Sequence, residues 1–202
     1  MKRIGVLGGT FDPPHIGHLL LAEYTLEALS LDMVLFVPTV VQPLKPDMRS
    51  ITNHRLNMVK LAIEGNPHFA ISRADIDRSG PHYTADTLPI IQEEYPDSDL
   101  FFLMGGDSLR DFTKWIRADE IADHARLAVM RRSDEAISAE MHDDVIPNLS
   151  KHIDIIDTPL LSIWLSSTHV VERLKNQQSV RYLVPDAILD YINAHNLYAE
   201  SL

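Results

Sequence analysis

Short apolar runs alternate with amphipathic stretches along this chain. The runs Ile4–Leu7, Met33–Val37, Phe69–Ser72, Leu100–Met104, Leu127–Met130 and Ile153–Ile156 are continuous rather than alternating. That is the pattern of strands buried on both faces of a parallel sheet. Between them, apolar residues recur at helical spacing. They predict helices from about Ile16 to Leu29, from Thr52 through Arg55, Met58, Leu61 and Ile63, from Tyr83-Thr84 onward, and at Ala118–His124, Thr168–Asn176 and Ala187–His195. Thr52 reads as a helix cap. Pro89 falls within the first turns of the helix begun at Tyr83-Thr84, and Pro185 stands near the start of the last one. Residues 39–50 form a proline-punctuated loop carrying Pro43, Lys45, Pro46 and Arg49, and the polar stretch 133–150 predicts no element.

Strands alternating with helices predict βαβ units with right-handed crossovers. The expected fold is α/β, a doubly wound Rossmann-like parallel sheet with a small helical C-terminal part. No repeat, low-complexity tract or linker divides the chain. The expectation is one domain over residues 1–202, with a core to about 165 and the helical part over about 166–202. In such sheets ligands bind beyond the carboxyl ends of the strands. Gly8-Gly9 and Gly105-Gly106 each follow a predicted strand directly, which puts two turns rich in accessible backbone at that edge.

Composition narrows the function classes. At 202 residues one core suffices without disulfides. The 18 Lys+Arg against 29 Asp+Glu give a net charge of -11, which argues against non-specific nucleic-acid binding. The absence of cysteine excludes disulfide scaffolds, thiolate metal sites and cysteine nucleophiles, and fits a reducing compartment. With no 18-residue apolar run and an N-terminal run too short for a signal peptide, the expectation is a soluble cytoplasmic protein that engages no membrane.

The chemistry concentrates in Gly8-Gly9-Thr10-Phe11-Asp12-Pro13-Pro14-His15-Ile16-Gly17-His18. A strand ends in glycines that allow close approach of a ligand, and a helix then begins, whose N-terminus favours phosphate. His15 and His18 are three apart and share one face of the first turn, and Gly17 leaves that face open to a bulky polyanion. Two histidines fall short of the three protein ligands a zinc site needs. The segment is neither a P-loop nor G-x-G-x-x-G.

The pattern G-G-T-F-D-P-x-H-x-G-H resembles the signature of the H-x-G-H nucleotidyltransferase superfamily. Within it the chain is most similar to the bacterial nicotinate-nucleotide adenylyltransferase family. Tyr83-Thr84-Ala85-Asp86-Thr87-Leu88 resembles S-Y-T-x-x-T-L, Gly105-Gly106-Asp107-Ser108-Leu109 with Trp115 resembles G-x-D-x-L followed by tryptophan, and Ser166-Ser167-Thr168 resembles the late I-S-S-T motif. The run Val180 to Tyr198 is similar to the family's tail.

The resemblance implies a reaction: the 5′-phosphate of nicotinate mononucleotide attacks the α-phosphorus of ATP, giving the deamido-dinucleotide and pyrophosphate. A phosphate with a second pKa of about 6 is already largely dianionic at pH 7, so no general base is required. Mg²⁺ is expected to arrive on the triphosphate, with no metal held by the protein alone. By position, His18 would bind the α-phosphate and His15 the triphosphate. Gly8, Gly9, Thr10, Phe11, Gly17, Gly105, Ser166, Ser167 and Thr168 would complete the ATP site, with Asp12 holding the loop or a ribose. Asp107 would take a ribose hydroxyl or serve as a helix cap.

Lys45, Tyr83, Thr84, Trp115 and Arg132 would receive nicotinate mononucleotide. Against those roles stand surface exposure for Lys45, a cap for Thr84 and core packing for Trp115. The family's late motif usually runs S-S-T-x-x-R, whereas this chain has Val171 at the arginine position. Lys175, one turn on, is the compensating cation available, and weakened ATP binding is expected. Nicotinamide mononucleotide or phosphopantetheine as acceptor, and a nucleotide-binding regulator without turnover, are the alternatives. A homo-oligomer stays open.

Overall fold

The computed structural model describes residues 1–40, 52–132, 136–158 and 165–199. Each continuous apolar run forms a strand, with only Ser72 falling past the end of its own: β1 (Lys2–Gly9), β2 (Met33–Pro38), β3 (Phe69–Ile71), β4 (Ser98–Gly105), β5 (Arg126–Arg132) and β6 (Ile153–Thr158). Among the described residues they form one six-stranded sheet in the order β3-β2-β1-β4-β5-β6. Every pairing is parallel. The helices are α1 (Ile16–Ala28), α2 (Thr52–Ile63), α3 (Thr84–Glu94), α4 (Gly106–Arg110), α5 (Ala118–His124), α6 (Ser167–Lys175) and α7 (Asp186–Ala194).

Alternate strand residues feed opposite faces, which is why the runs are continuous. Ile4, Val6, Leu35, Val37, Leu100, Phe102, Leu127 and Val129 point to one side, where they meet Leu88 and Ile91 of α3 and Ile121 of α5. Leu7, Val34, Phe36, Phe101, Leu103 and Ala128 point to the other, onto Leu21 and Ala22 of α1 and Val59 of α2. A third cluster joins Val170 and Val171 of α6, Ile188 and Ile192 of α7, Val180, Val184 and Tyr198 to Met58 of α2. The C-terminal helices therefore share a core residue with the sheet-bearing part.

Strand and helix ends differ from the sequence reading by a few residues. Ser98, Asp99, Arg131 and Arg132 extend β4 and β5 although they are polar, because ladder hydrogen bonds ignore side-chain type. Pro89 sits in the second turn of α3, within its first turns as the sequence places it. The unassigned stretch 133–150 holds 3₁₀ turns from Ala139 and from Leu149 among its described residues, too short to leave a periodic signal.

The chain runs β1, β2, β3 outward in one direction and then returns to place β4 on the other side of β1. The switch point is therefore the crevice between the ends of β1 and β4, where crossover helices diverge and a ligand can enter. Gly8-Gly9 and Gly105 end those two strands.

Candidate active site

The turn after β1 is built around buried rings. Phe11 adopts a left-handed φ of 51° and is 1% exposed. Its ring lies against Gly9, where a Cβ would come within 3.0 Å of it, so a larger residue at 9 would displace the turn. The same ring meets His18 edge-on at 5.0 Å.

His15 is the N-cap of α1 in an extended conformation, and His18 is the third residue of the helix. The two imidazoles stack at 3.7 Å with 22° between planes. The His15 backbone N–H donates to His18 Nδ1 at 3.1 Å. A ring nitrogen that accepts carries no proton, so the neutral His18 ring holds its proton on Nε2. His15 is buried, and burial pushes its imidazole down to about 4, leaving it neutral at pH 7. Its Nδ1 has no hydrogen-bond partner among the described residues.

Gly17 does more than leave a face open. A Cβ there would lie 3.0 Å from two atoms of the His15 ring, so the missing side chain is what admits the stacked pair. The start of α1 is partly occupied as well. The Ile16 N–H donates to the Leu183 carbonyl at 2.9 Å, which removes one donor that sequence reasoning had offered to phosphate. Ser167 Oγ donates to the Pro13 carbonyl at 2.8 Å, and Ser166 caps α6 by accepting from the His169 N–H at 3.1 Å. Thr168 follows in the exposed first turn. The C-terminal part thus grips the Asp12–Ile16 turn through both main chain and side chain.

Below the turn lies a buried charge. Arg55 is 0% exposed. Its guanidinium donates to the Thr10 and Thr39 carbonyls at 2.7 Å each and to Thr52 Oγ1 at 3.1 Å. Burial lowers its pKa, and the Asp12 carboxylate pulls the other way by charge attraction. Asp12 is itself 4% exposed and accepts from the Tyr198 hydroxyl at 2.7 Å.

On the other side of the switch point, Gly105 caps α4, and Asp107 is exposed in its first turn. Asp107 is therefore not the cap residue of this helix. Tyr83, in an extended conformation, is the N-cap of α3, and Thr84 is its first helical residue rather than the cap. Both are half-buried. The approach to this helix start is braced by Arg78, which donates to Asp75 Oδ1 at 2.9 Å and to the Pro81 carbonyl at 2.9 Å, while Thr87 Oγ1 donates to the same Asp75 at 2.6 Å. Trp115 is half-buried. It packs edge-on against Phe102 at 5.8 Å and tilted against Phe112 at 5.6 Å, so core packing accounts for part of its surface. Arg117, two residues on, pairs with Asp86 in the first turn of α3. That ion pair joins the Trp115 segment to the Tyr83–Thr84 helix start.

Not every candidate converges here. Lys45 lies outside the described residues. Arg132 is the last residue of β5, and its neighbour Arg131 is engaged with Asp157 at 2.7 Å. Val171 is buried in the C-terminal cluster, and Lys175 is exposed. Among the described residues no three His, Asp or Glu side chains converge as metal donors.

Comparison with known proteins then decides the family. The cytidylyltransferase-like family profile matches residues 6–173. A relative from Oceanobacillus iheyensis named "Probable nicotinate-nucleotide adenylyltransferase" is 38% identical over 98% of this chain and 97% of its own length. Another of that name, from Thermomicrobium roseum, is 41% identical over 98% of this chain and 92% of its own. The chain belongs to the nicotinate-nucleotide adenylyltransferase family. The solved Plasmodium falciparum nicotinic acid mononucleotide adenylyltransferase complexed with NaAD shares the fold, with a TM-score of 0.80 at 21% identity and 98% of both chains covered. The same enzyme complexed with APC superposes with a TM-score of 0.78.

Set beside that family assignment, the residues sequence reading passed over are Arg55, Arg78 and Arg117. Arg117 has a left-handed φ of 54°, a conformation the sequence does not announce. Arg55 left a trace. It precedes fully buried Met58 and Val59 by three and four residues, so it stands on the apolar stripe of α2, where a charge is anomalous.

Proposed function

We propose that this protein transfers the adenylyl group of ATP to the 5′-phosphate of nicotinate mononucleotide, in the cytoplasm, as a step of NAD biosynthesis. The observation that carries the reading is the stacked His15–His18 pair at the switch point, in a chain that keeps the family's motifs over nearly its whole length. A phosphate oxygen of the mononucleotide attacks the α-phosphorus, a new P–O bond forms in line, and the Pα–O bond to the β-phosphate breaks with its electron pair leaving on pyrophosphate. No proton has to be removed from the nucleophile. The work is positioning and charge stabilisation.

His18 donates its Nε2–H to an α-phosphate oxygen as charge builds there. His15, neutral and stacked, holds that ring and offers its own nitrogen to the phosphates. Magnesium enters as part of the nucleotide substrate and neutralises triphosphate charge. Asp12, engaged by Tyr198, is a structural carboxylate in this scheme. The helix start at Tyr83–Thr84 receives the nicotinate carboxylate, and the exposed part of Trp115 stacks on the pyridine ring.

The test is pyrophosphate release from Mg-ATP with nicotinate mononucleotide, run beside nicotinamide mononucleotide and phosphopantetheine, with His18→Ala as control. Turnover fastest with the nicotinate form and reduced about 10²–10³-fold in the control supports the reading. Preference for another acceptor replaces the substrate assignment, and ATP binding without turnover on any acceptor points to a regulator.

A further inference from the structure

The proposed function leaves a buried cation unused. Arg55 meets the proposed site only at the Thr10 carbonyl, and it is the largest fully buried side chain among the described residues. Its donors end on the backbone of two separate turns. One is Thr10, in the turn after β1; the other is Thr39, directly after β2. The Thr39 N–H in turn donates to the Gly9 carbonyl at 3.0 Å, so both turns are cross-linked beside the histidine pair. A buried guanidinium is costly unless its surroundings compensate it. Here backbone carbonyls, Thr52 and the charge of Asp12 compensate the two terminal nitrogens, Nε has no hydrogen-bond partner among the described residues, and Asp12 is fixed by Tyr198 from the C-terminal part. The Tyr198 hydroxyl donates to Asp12, whose charge acts on the Arg55 guanidinium.

We propose that Arg55 is a positioning residue for adenylyl transfer, and that Asp12 and Tyr198 form with it one unit by which the C-terminal part sets the geometry of the Gly8–Phe11 turn. The inference rests on the function proposed above. Neither Arg55 nor Tyr198 touches the reacting atoms. They act by fixing where the Thr10 carbonyl, and with it the backbone leading into Phe11 and the histidine pair, stands relative to the end of β2.

Steady-state pyrophosphate release from the full chain tests this with Arg55→Lys, Arg55→Met and Tyr198→Phe, each assayed well below its own unfolding midpoint. Arg55→Met should lower kcat about 100-fold, the size expected when catalytic groups shift by about an ångström. Arg55→Lys, which keeps the charge but puts one nitrogen in place of the two that reach the Thr10 and Thr39 carbonyls and Thr52, should restore part of that loss. Tyr198→Phe, which removes one hydroxyl, should lower kcat/KM for ATP about tenfold and leave KM for the acceptor unchanged. Variants that melt earlier yet keep kcat and both KM values within twofold when folded would overturn the inference and make the unit a structural one. If Tyr198→Phe alone behaves so, the C-terminal link is overturned. If the wild type turns over no acceptor, the function fails first. ATP affinity by calorimetry then takes the place of kcat: a tenfold weakening in Arg55→Lys supports the positioning role, and wild-type affinity removes it.

Discussion

At the scale of single residues, the two histidines of one helical turn differ in environment and should differ in behaviour. His15 has a folded-state pKa of about 4 because it is buried, below the ordinary 6.5 of the unfolded chain. Between those values the unfolded state binds the proton and the folded state does not. The stability linked to His15 is therefore complete above about pH 6.5 and is lost as pH falls toward 4, with a full span of about 3 kcal/mol. Urea unfolding followed from pH 7.5 to 4.5 should show this slope, and His15→Gln should flatten it. Parallel slopes in the two proteins would assign the acid sensitivity to other groups. Gly17 offers a second test with opposing terms. Alanine is favoured over glycine inside a helix by about 1 kcal/mol, so Gly17→Ala should leave the melting temperature unchanged or slightly raised. Its Cβ would stand 3.0 Å from the His15 ring, so kcat should fall roughly 10- to 100-fold as the stacked pair is pushed aside. Retained activity would mean that the ring yields without harm.

At the scale of elements, α6 changes the meaning of a substitution that is visible in the sequence. The S-S-T-x-x-R pattern made Val171 a missing phosphate ligand and Lys175 its substitute. In the fold Val171 is 2% exposed among Val180, Val184, Ile188 and Met58, and Lys175 is exposed beyond it. Val171→Arg should therefore put a charge into an apolar cluster, cost on the order of 3 kcal/mol and lower the melting temperature by roughly 6–12 °C without improving KM for ATP. Thermal melts and ATP kinetics on the variant decide it, and a tighter KM with an unchanged melt would restore the sequence reading. The strands and most helices were legible because their patterns are dense, down to the Ala118–His124 boundaries of α5. What stayed hidden has physical reasons. α4 spans only 5 residues and has no period to detect. The polar ends of β4 and β5 carry no apolar signal. The Asp75–Thr87 and Arg117–Asp86 contacts link residues 12 and 31 positions apart, whose proximity only the tertiary fold creates. The spacing of the two histidines put both rings on one turn, where the fold stacks them, whereas the C-terminal carbonyl that occupies the Ile16 N–H left no signal.

At the scale of the whole molecule, the switch point and the C-terminal part raise one question: whether residues 165–199 are an appendage or part of a single cooperative unit. Their apolar cluster includes Met58 of α2. Their polar links, Leu183 to Ile16, Ser167 to Pro13 and Tyr198 to Asp12, all end on the turn between β1 and α1. An appendage would loosen first and take the site with it. A shared core and a shared turn predict one transition instead. Urea unfolding followed by far-UV circular dichroism and by tyrosine fluorescence should give coincident curves. Ser167→Ala, which removes one hydrogen bond to the turn, should shift the entire transition by about 1 kcal/mol, roughly 2–4 °C in the melt. ATP sharpens the distinction. At a hundred times its dissociation constant it should stabilise the folded state by about 2.7 kcal/mol. If the C-terminal part is integral, that gain appears in hydrogen-exchange protection of α6 and α7 as well as of β1 and α1. Protection confined to the sheet-bearing part would show that the helices at the C-terminal side open independently, and the turn they hold would then be set by Arg55 alone.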